Sequence, residues 1–132
     1  MSKTLLIILG NQLFNPIYLE KIKFDFIFMA EDYELCSYVK HHKLKILMFL
    51  LSMREYCAEL RQNKYKVIYE SLEDDSFREK YENKLSSIIK TQRIKKLVFF
   101  EIEDKFFEAR INKFAKRNKL TVEILSSPMF LF

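Results

Sequence analysis

Three short polar clusters in this chain each follow an apolar run, and these are the places where its chemistry can lie. Gly10-Asn11-Gln12 closes the run Thr4 to Leu9, Glu31-Asp32 follows Phe24 to Ala30, and Glu101-Ile102-Glu103-Asp104 follows Lys95 to Phe100. Carboxamides beside carboxylates suit a ring with several donors and acceptors and a hydroxylated tail, because an amide offers both hydrogen-bond senses and a carboxylate accepts from hydroxyls. Gathered together, Glu31, Asp32, Glu101 and Glu103 would also form a donor set for magnesium, and so a metal-dependent hydrolase is an alternative.

Other chemistries find little support. Ser52, Ser71, Cys36 and Cys57 have no neighbouring histidine to serve as a base, and the two histidines, His41 and His42, are adjacent, so one helical face cannot present both. Cys36 and Cys57 are too few and too far apart for a zinc motif and read as reduced thiols of a cytoplasmic protein. A single glycine cannot build a phosphate-cradling loop after the first strand, which disfavours nucleotide triphosphate chemistry.

The elements that must position the clusters follow from periodicity. Thr4 to Leu9 is unbroken by polar residues, the pattern of a central parallel strand buried on both faces. Asn15-Pro16 then marks a turn into a short amphipathic crossover ending at Ile22. Further strands are expected at Phe24–Met29, Lys66–Tyr69, Lys95–Phe100 and Leu120–Leu125. Between them, Ile46, Leu50, Met53, Cys57 and Leu60 recur at helical spacing, with Leu47, Phe49, Leu51 and Ala58 widening the apolar stripe of a helix over His42–Gln62. Its basic start, Lys40 to Lys45, opposes the helix dipole and reads as a solvated end or an anion-attracting one. Ser76 with Glu79 resembles a capping box opening a helix to about Lys90 that turns Phe77, Tyr81, Leu85, Ile88 and Ile89 inward, and a last helix over Asp104–Asn118 buries Phe107, Ile111, Phe114 and Ala115.

Strands alternating with helices through short connections predict an α/β, three-layer Rossmann-like domain with a five-stranded parallel sheet, in the order 3-2-1-4-5. Ligands bind such sheets outside the carboxyl ends of the strands, which puts Gly10, Asn11, Gln12, Glu31, Asp32 and Glu101 on one edge. If the second strand ends at Ala30, the Glu31 carboxylate points into an open crevice, free to accept hydroxyls.

Of 132 residues, 49% are apolar and 31% charged, the balance of one globular domain with a real core. The net charge of +5 reads as an excess spread along the chain, sufficient for weak, salt-sensitive DNA contact at most. The longest apolar run, Ile46–Leu51, is too short to span a bilayer. Met129-Phe130-Leu131-Phe132 is apolar for a terminus, so the chain reads as cut at a domain boundary, closing a dimer, or folding back onto its own sheet.

Leu9-Gly10-Asn11-Gln12-Leu13, Met29-Ala30-Glu31, and His41 through Ile46 leading into Ser52-Met53-Arg54-Glu55-Tyr56 together resemble the N-terminal domain of deoxyribodipyrimidine photolyase-related proteins, the iron-sulfur bacterial cryptochrome and photolyase family. Asn11 stands where that family usually has Asp, and Glu101–Phe106 lacks the usual proline and arginine. The resemblance implies that residues 1–132 are an antenna domain binding 6,7-dimethyl-8-ribityllumazine or a related chromophore, with Gly10, Asn11, Gln12, Glu31, Asp32 and Glu101 lining its site. It further implies that the helical part, which carries FAD and an iron-sulfur cluster, lies outside this chain and is its partner. A protein interaction module, docking such a helical partner or a second copy through the apolar tail, is a further alternative.

Overall fold

In a computed structural model the described residues are 3–10, 12–31, 43–74 and 79–126, with side chains of the first helix described from residue 47 onward. Asn11, Asp32, Cys36, His41, His42, Ser76, Phe77 and the tail Met129–Phe132 therefore lie outside them. Strands β1 (Lys3–Ile7), β2 (Phe26–Ala30), β3 (Val67–Glu70), β4 (Ile94–Phe100) and β5 (Thr121–Leu125) form one five-stranded sheet in the order β3-β2-β1-β4-β5. All four pairings are parallel, as expected.

β1 is central because it needs no solvent face: Leu5 and Ile7 point to one side and Leu6 and Ile8 to the other, all buried. The first side is covered by helices α2 (Tyr81–Gln92) and α3 (Lys105–Arg117), which contribute Leu85, Ile88, Phe107, Ile111 and Phe114. The second is covered by α1 (Lys43–Gln62) and a short 3₁₀ helix, Pro16–Leu19, through Met53, Tyr56, Cys57, Leu60 and Leu19. These are the three layers. No helix among the described residues is long and apolar enough to cross a membrane.

Several boundaries differ from the sequence reading for physical reasons. β2 begins at Phe26 rather than Phe24 because the Asp25 carboxylate accepts from the Thr4 amide at 2.8 Å, holding the chain before the ladder starts. α2 begins at Tyr81, with Lys80 as an N-cap that makes no side-chain bond, so no capping box opens it. Its start is set by packing: the Tyr81 ring meets Phe28 and Phe107 edge-on, at 5.6 and 5.1 Å between centroids. α1 buries Leu50, Met53, Cys57 and Leu60 as expected, but Leu47, Leu51 and Ala58 are exposed, since nothing among the described residues covers that side. α3 matches expectation, with the Asp104 carboxylate accepting from the Phe106 and Phe107 amides as its N-cap.

With so little glycine, the helix ends are made by other residues. Lys64, Arg93 and Lys119 all take positive φ where helices give way to strands. This is the amino edge of the sheet, to which helices antiparallel to the strands return.

Candidate functional site

The carboxyl edge of the sheet brings together Gly10, Gln12, Glu31 and Glu101 from the ends of β1, β2 and β4; Asn11 and Asp32 lie outside the described residues. What these side chains do there differs from what their types suggest.

Glu31 is 1% exposed. Its backbone amide donates to Glu70 O at 2.8 Å, extending the β2–β3 ladder by one bond beyond Ala30 and turning the side chain in beneath the loop after β3. Arg54, on α1, donates through Nε to Oε2 at 2.7 Å and through Nη2 to Oε1 at 2.9 Å. The Leu72 amide donates to Oε1 at 2.8 Å, and the Tyr69 hydroxyl donates a short bond to Oε2. Burial pushes this carboxyl up, but the bonds from Arg54, Tyr69 and Leu72 outweigh it and hold it below the usual carboxylate range. The same cluster raises the Arg54 guanidinium, chiefly through its bond to Glu31, and raises Tyr69 through burial and that carboxylate. The open, free carboxylate expected from the sequence is thus a closed one, with four protein donors.

Gln12 is likewise committed. At 5% exposure, its Nε2 donates to Glu101 O at 2.9 Å and Phe100 O at 3.3 Å, and its Oε1 lies 3.5 Å from the Leu9 amide. In this strand order the connections diverge between β1 and β4, and the Gln12 carboxamide ties those two strand ends together there. Gly10 permits a close approach: a Cβ would stand 2.2 Å from Cζ of Phe49, so the ring on α1 that lies against this backbone would have to shift. Glu101 anchors the edge through its main chain, its amide donating to Leu125 O at 2.8 Å, while its side chain is exposed.

Asp104 is taken up as the α3 N-cap, and Glu108 accepts from the Ile102 amide at 2.9 Å. Among the described residues no group of three or more His, Cys, Asp or Glu side chains is placed to hold a metal ion.

An open surface lies beside Glu31. A cleft of about 500 Å³ opens between α1 and β3, lined by Arg54, Cys57, Ala58, Tyr69, Ser71 and Glu73, among others. Its size is that of a small-molecule site. Arg54, 41% exposed, lines it, bonding Glu31 through Nε and Nη2 and standing 4.0 Å from the Glu73 carboxylate. Cys57 is a free, buried thiol there, and burial pushes it up. Further along the same edge, Phe106 at the start of α3 is 86% exposed. Sequence reading placed Arg54 only within a motif and passed over Tyr69; the signal was a lone acid at a strand end with an arginine and a tyrosine on the elements expected to flank it.

Fold and site together define a doubly wound parallel α/β domain with its polar groups at the strand carboxyl ends. Over residues 6–132 the chain matches the family described as deoxyribodipyrimidine photo-lyase-related protein, and it belongs to that family. No curated protein matches it significantly.

Proposed function

We propose that this chain is the antenna domain of a photolyase-related protein that repairs DNA or senses light, and that it binds a ribityllumazine-type chromophore at the carboxyl edge of its sheet. Family membership across nearly the whole chain supports the reading. The observation that carries it is the cleft of about 500 Å³ that opens at that edge beside Arg54 and Ser71 and runs along α1 to Arg61 and Gln62. Glu31 has a different part in this proposal from the one its sequence position suggests. With its oxygens filled by protein donors, it fixes the Arg54 fork, and Arg54 meets the carbonyl oxygens of the ring with its remaining N–H groups. Ser71, whose Oγ accepts from the Glu73 amide, keeps its hydroxyl proton for the tail, and the exposed Glu73 carboxylate, 4.0 Å from Arg54 Nη2, keeps acceptor positions for the tail hydroxyls.

Fluorescence titration of the purified chain with ribityllumazine tests this. Saturable binding is expected, and Arg54→Lys, which keeps a cation beside Glu31 but loses the fork, weakens it about tenfold, within reach of one charge-assisted bond. Absence of saturable binding by the wild-type chain overturns the reading. A second reading has one specific observation in its favour: Phe106 and the Leu47, Met48 and Leu51 side of α1 are exposed toward this edge, an apolar surface suited to a helical partner or a second copy.

A further inference from the structure

From the distribution of its charges, we infer that the amino edge of the sheet, opposite the candidate chromophore site, is a binding face for the phosphate backbone of duplex nucleic acid. The inference does not rest on the chromophore reading. The excess of cations, spread along the sequence, is gathered by the fold at this edge. Lys3 opens β1, Lys66 precedes β3, Arg93 precedes β4 and Lys119 precedes β5, and all four are exposed. The acids instead collect at the other edge, at Glu73, Asp74, Glu101, Glu103 and Asp104.

The cations are arranged, not merely numerous. The ammonium groups of Lys3 and Lys66 sit 5.2 and 5.9 Å from the centre of the same ring, Phe26 of β2, which holds them at the starts of β1 and β3, the strands on either side of it. On the other side, a groove of about 470 Å³ is lined by Lys90, Arg93, Lys95 and Asn118 over Ile89 and Ile94, with no acid in its wall. No carboxylate among the described residues pairs with Lys90, Arg93 or Lys95. The acids near this edge are Glu20, Asp25 and, in the last turn of α1, Glu59, and Asp25 accepts from the Thr4 amide.

Helix dipoles account for part of the pattern, since Lys90, Lys116 and Arg117 lie in the last turns of their helices. They do not account for Lys3, Lys21, Lys23, Lys66 or Lys95, which belong to strand starts and to the crossover before β2. Five strands about 4.8 Å apart make a face roughly 19 Å wide, which meets on the order of five phosphates of one strand of a duplex.

The chemistry of the face selects among polyanions. A membrane surface would call for a belt of apolar side chains flanking the cations; of the large exposed apolar residues, Leu47, Met48, Leu51, Leu72 and Phe106 belong to the opposite edge, and the remainder among the described residues, Ile17 and Tyr18 on the crossover before β2 and Ile124 on β5, are too few to make one. Single strands are held by successive exposed aromatic platforms, whereas Phe24, Phe26 and Tyr65 here are half-buried, with Phe24 and Tyr65 packed on each other at 5.5 Å, leaving Tyr18 of the 3₁₀ helix as a single exposed ring on the crossover. A hydrophilic row of cations matches a duplex backbone, read without base specificity.

The test is fluorescence anisotropy of the full chain with a labelled mixed-sequence duplex of about 20 base pairs, at about 50 and about 200 mM salt, comparing Lys90→Gln/Lys95→Gln with Lys105→Gln/Lys113→Gln. Both variants remove two charges, but Lys105 opens α3 at the carboxyl edge and Lys113 lies a full turn before its last residue, outside the groove of Lys90, Arg93 and Lys95. Wild-type binding is expected to fall on the order of 100-fold across that salt range, as for about four neutralised phosphates. The amino-edge variant is expected to bind at least about tenfold more weakly at low salt, with a salt slope shallower by about two, and the control pair to change affinity less than about twofold. Equal losses in the two variants, no duplex binding at low salt, tighter binding to the single strand, or binding to anionic vesicles without binding to the duplex would each overturn the inference.

Discussion

Replacing Glu31 by Gln should cost this domain far more than its position on a ligand-binding edge suggests. The substitution keeps the shape and removes the charge on which Arg54, Tyr69 and the Leu72 amide converge, and it turns an NH₂ group toward at least one of those donors. Removing one member of a fully buried ion pair costs about 3–5 kcal/mol. The Arg54 side chain is 41% exposed, so water takes up part of its orphaned charge, and a loss of about 2–3 kcal/mol is expected. For a chain of this size that is a fall in Tm of roughly 10 °C. The effect depends on pH with a definite sign. The folded Glu31 carboxyl is held below its ordinary value, so acid protonates it in the unfolded chain first. Its contribution is therefore fully present above the unfolded value of about 4.3 and is lost as pH falls through the lower folded one. Glu82, held down chiefly by Arg110, adds to the same acid limb, so the informative quantity is the difference between wild type and variant. Urea denaturation at about pH 7 and about pH 3 measures it: the gap should be wide at the first and narrower at the second. A variant within about 0.5 kcal/mol of wild type at neutral pH, or a gap unchanged by acid, refutes the account of Glu31 as a buried keystone.

Two further outcomes concern backbone and packing. Gly10→Ala forces a methyl against the Phe49 ring, 2.2 Å from Cζ, and should destabilise by about 1–3 kcal/mol; Phe49→Leu in the same chain should recover part of that in thermal melts, since the clash is with that ring. Lys119→Gly, at φ 57, should instead stabilise by about 0.5–1 kcal/mol, seen as a higher urea midpoint with unchanged slope, because glycine adopts this conformation without the Cβ penalty.

The architecture was legible in the sequence because it depends on patterns that local chemistry enforces. An apolar run with no alternation, Thr4–Leu9, must be buried on both faces, so it becomes the central strand, and short crossovers leave few strand orders, of which β3-β2-β1-β4-β5 is the one adopted. The heptad-like spacing of Leu50, Met53, Cys57 and Leu60 similarly committed one face of α1 to the core. The destination of each polar side chain was not legible, because a carboxylate or carboxamide at a strand end looks the same whether it waits for a ligand or is satisfied by a neighbour distant in sequence. Glu31 meets Arg54, Tyr69 and Leu72, and Gln12 meets Phe100 and Glu101, 88 and 89 residues along the chain. Leu47 and Leu51 look like core and stand exposed, since burial requires a facing layer that periodicity cannot supply. The charges follow the same division: their number is a property of the sequence, but their separation into an acidic and a basic edge exists only once parallel strands and returning helices bring residues as far apart as Lys3, Lys66 and Lys119 to one side of the sheet.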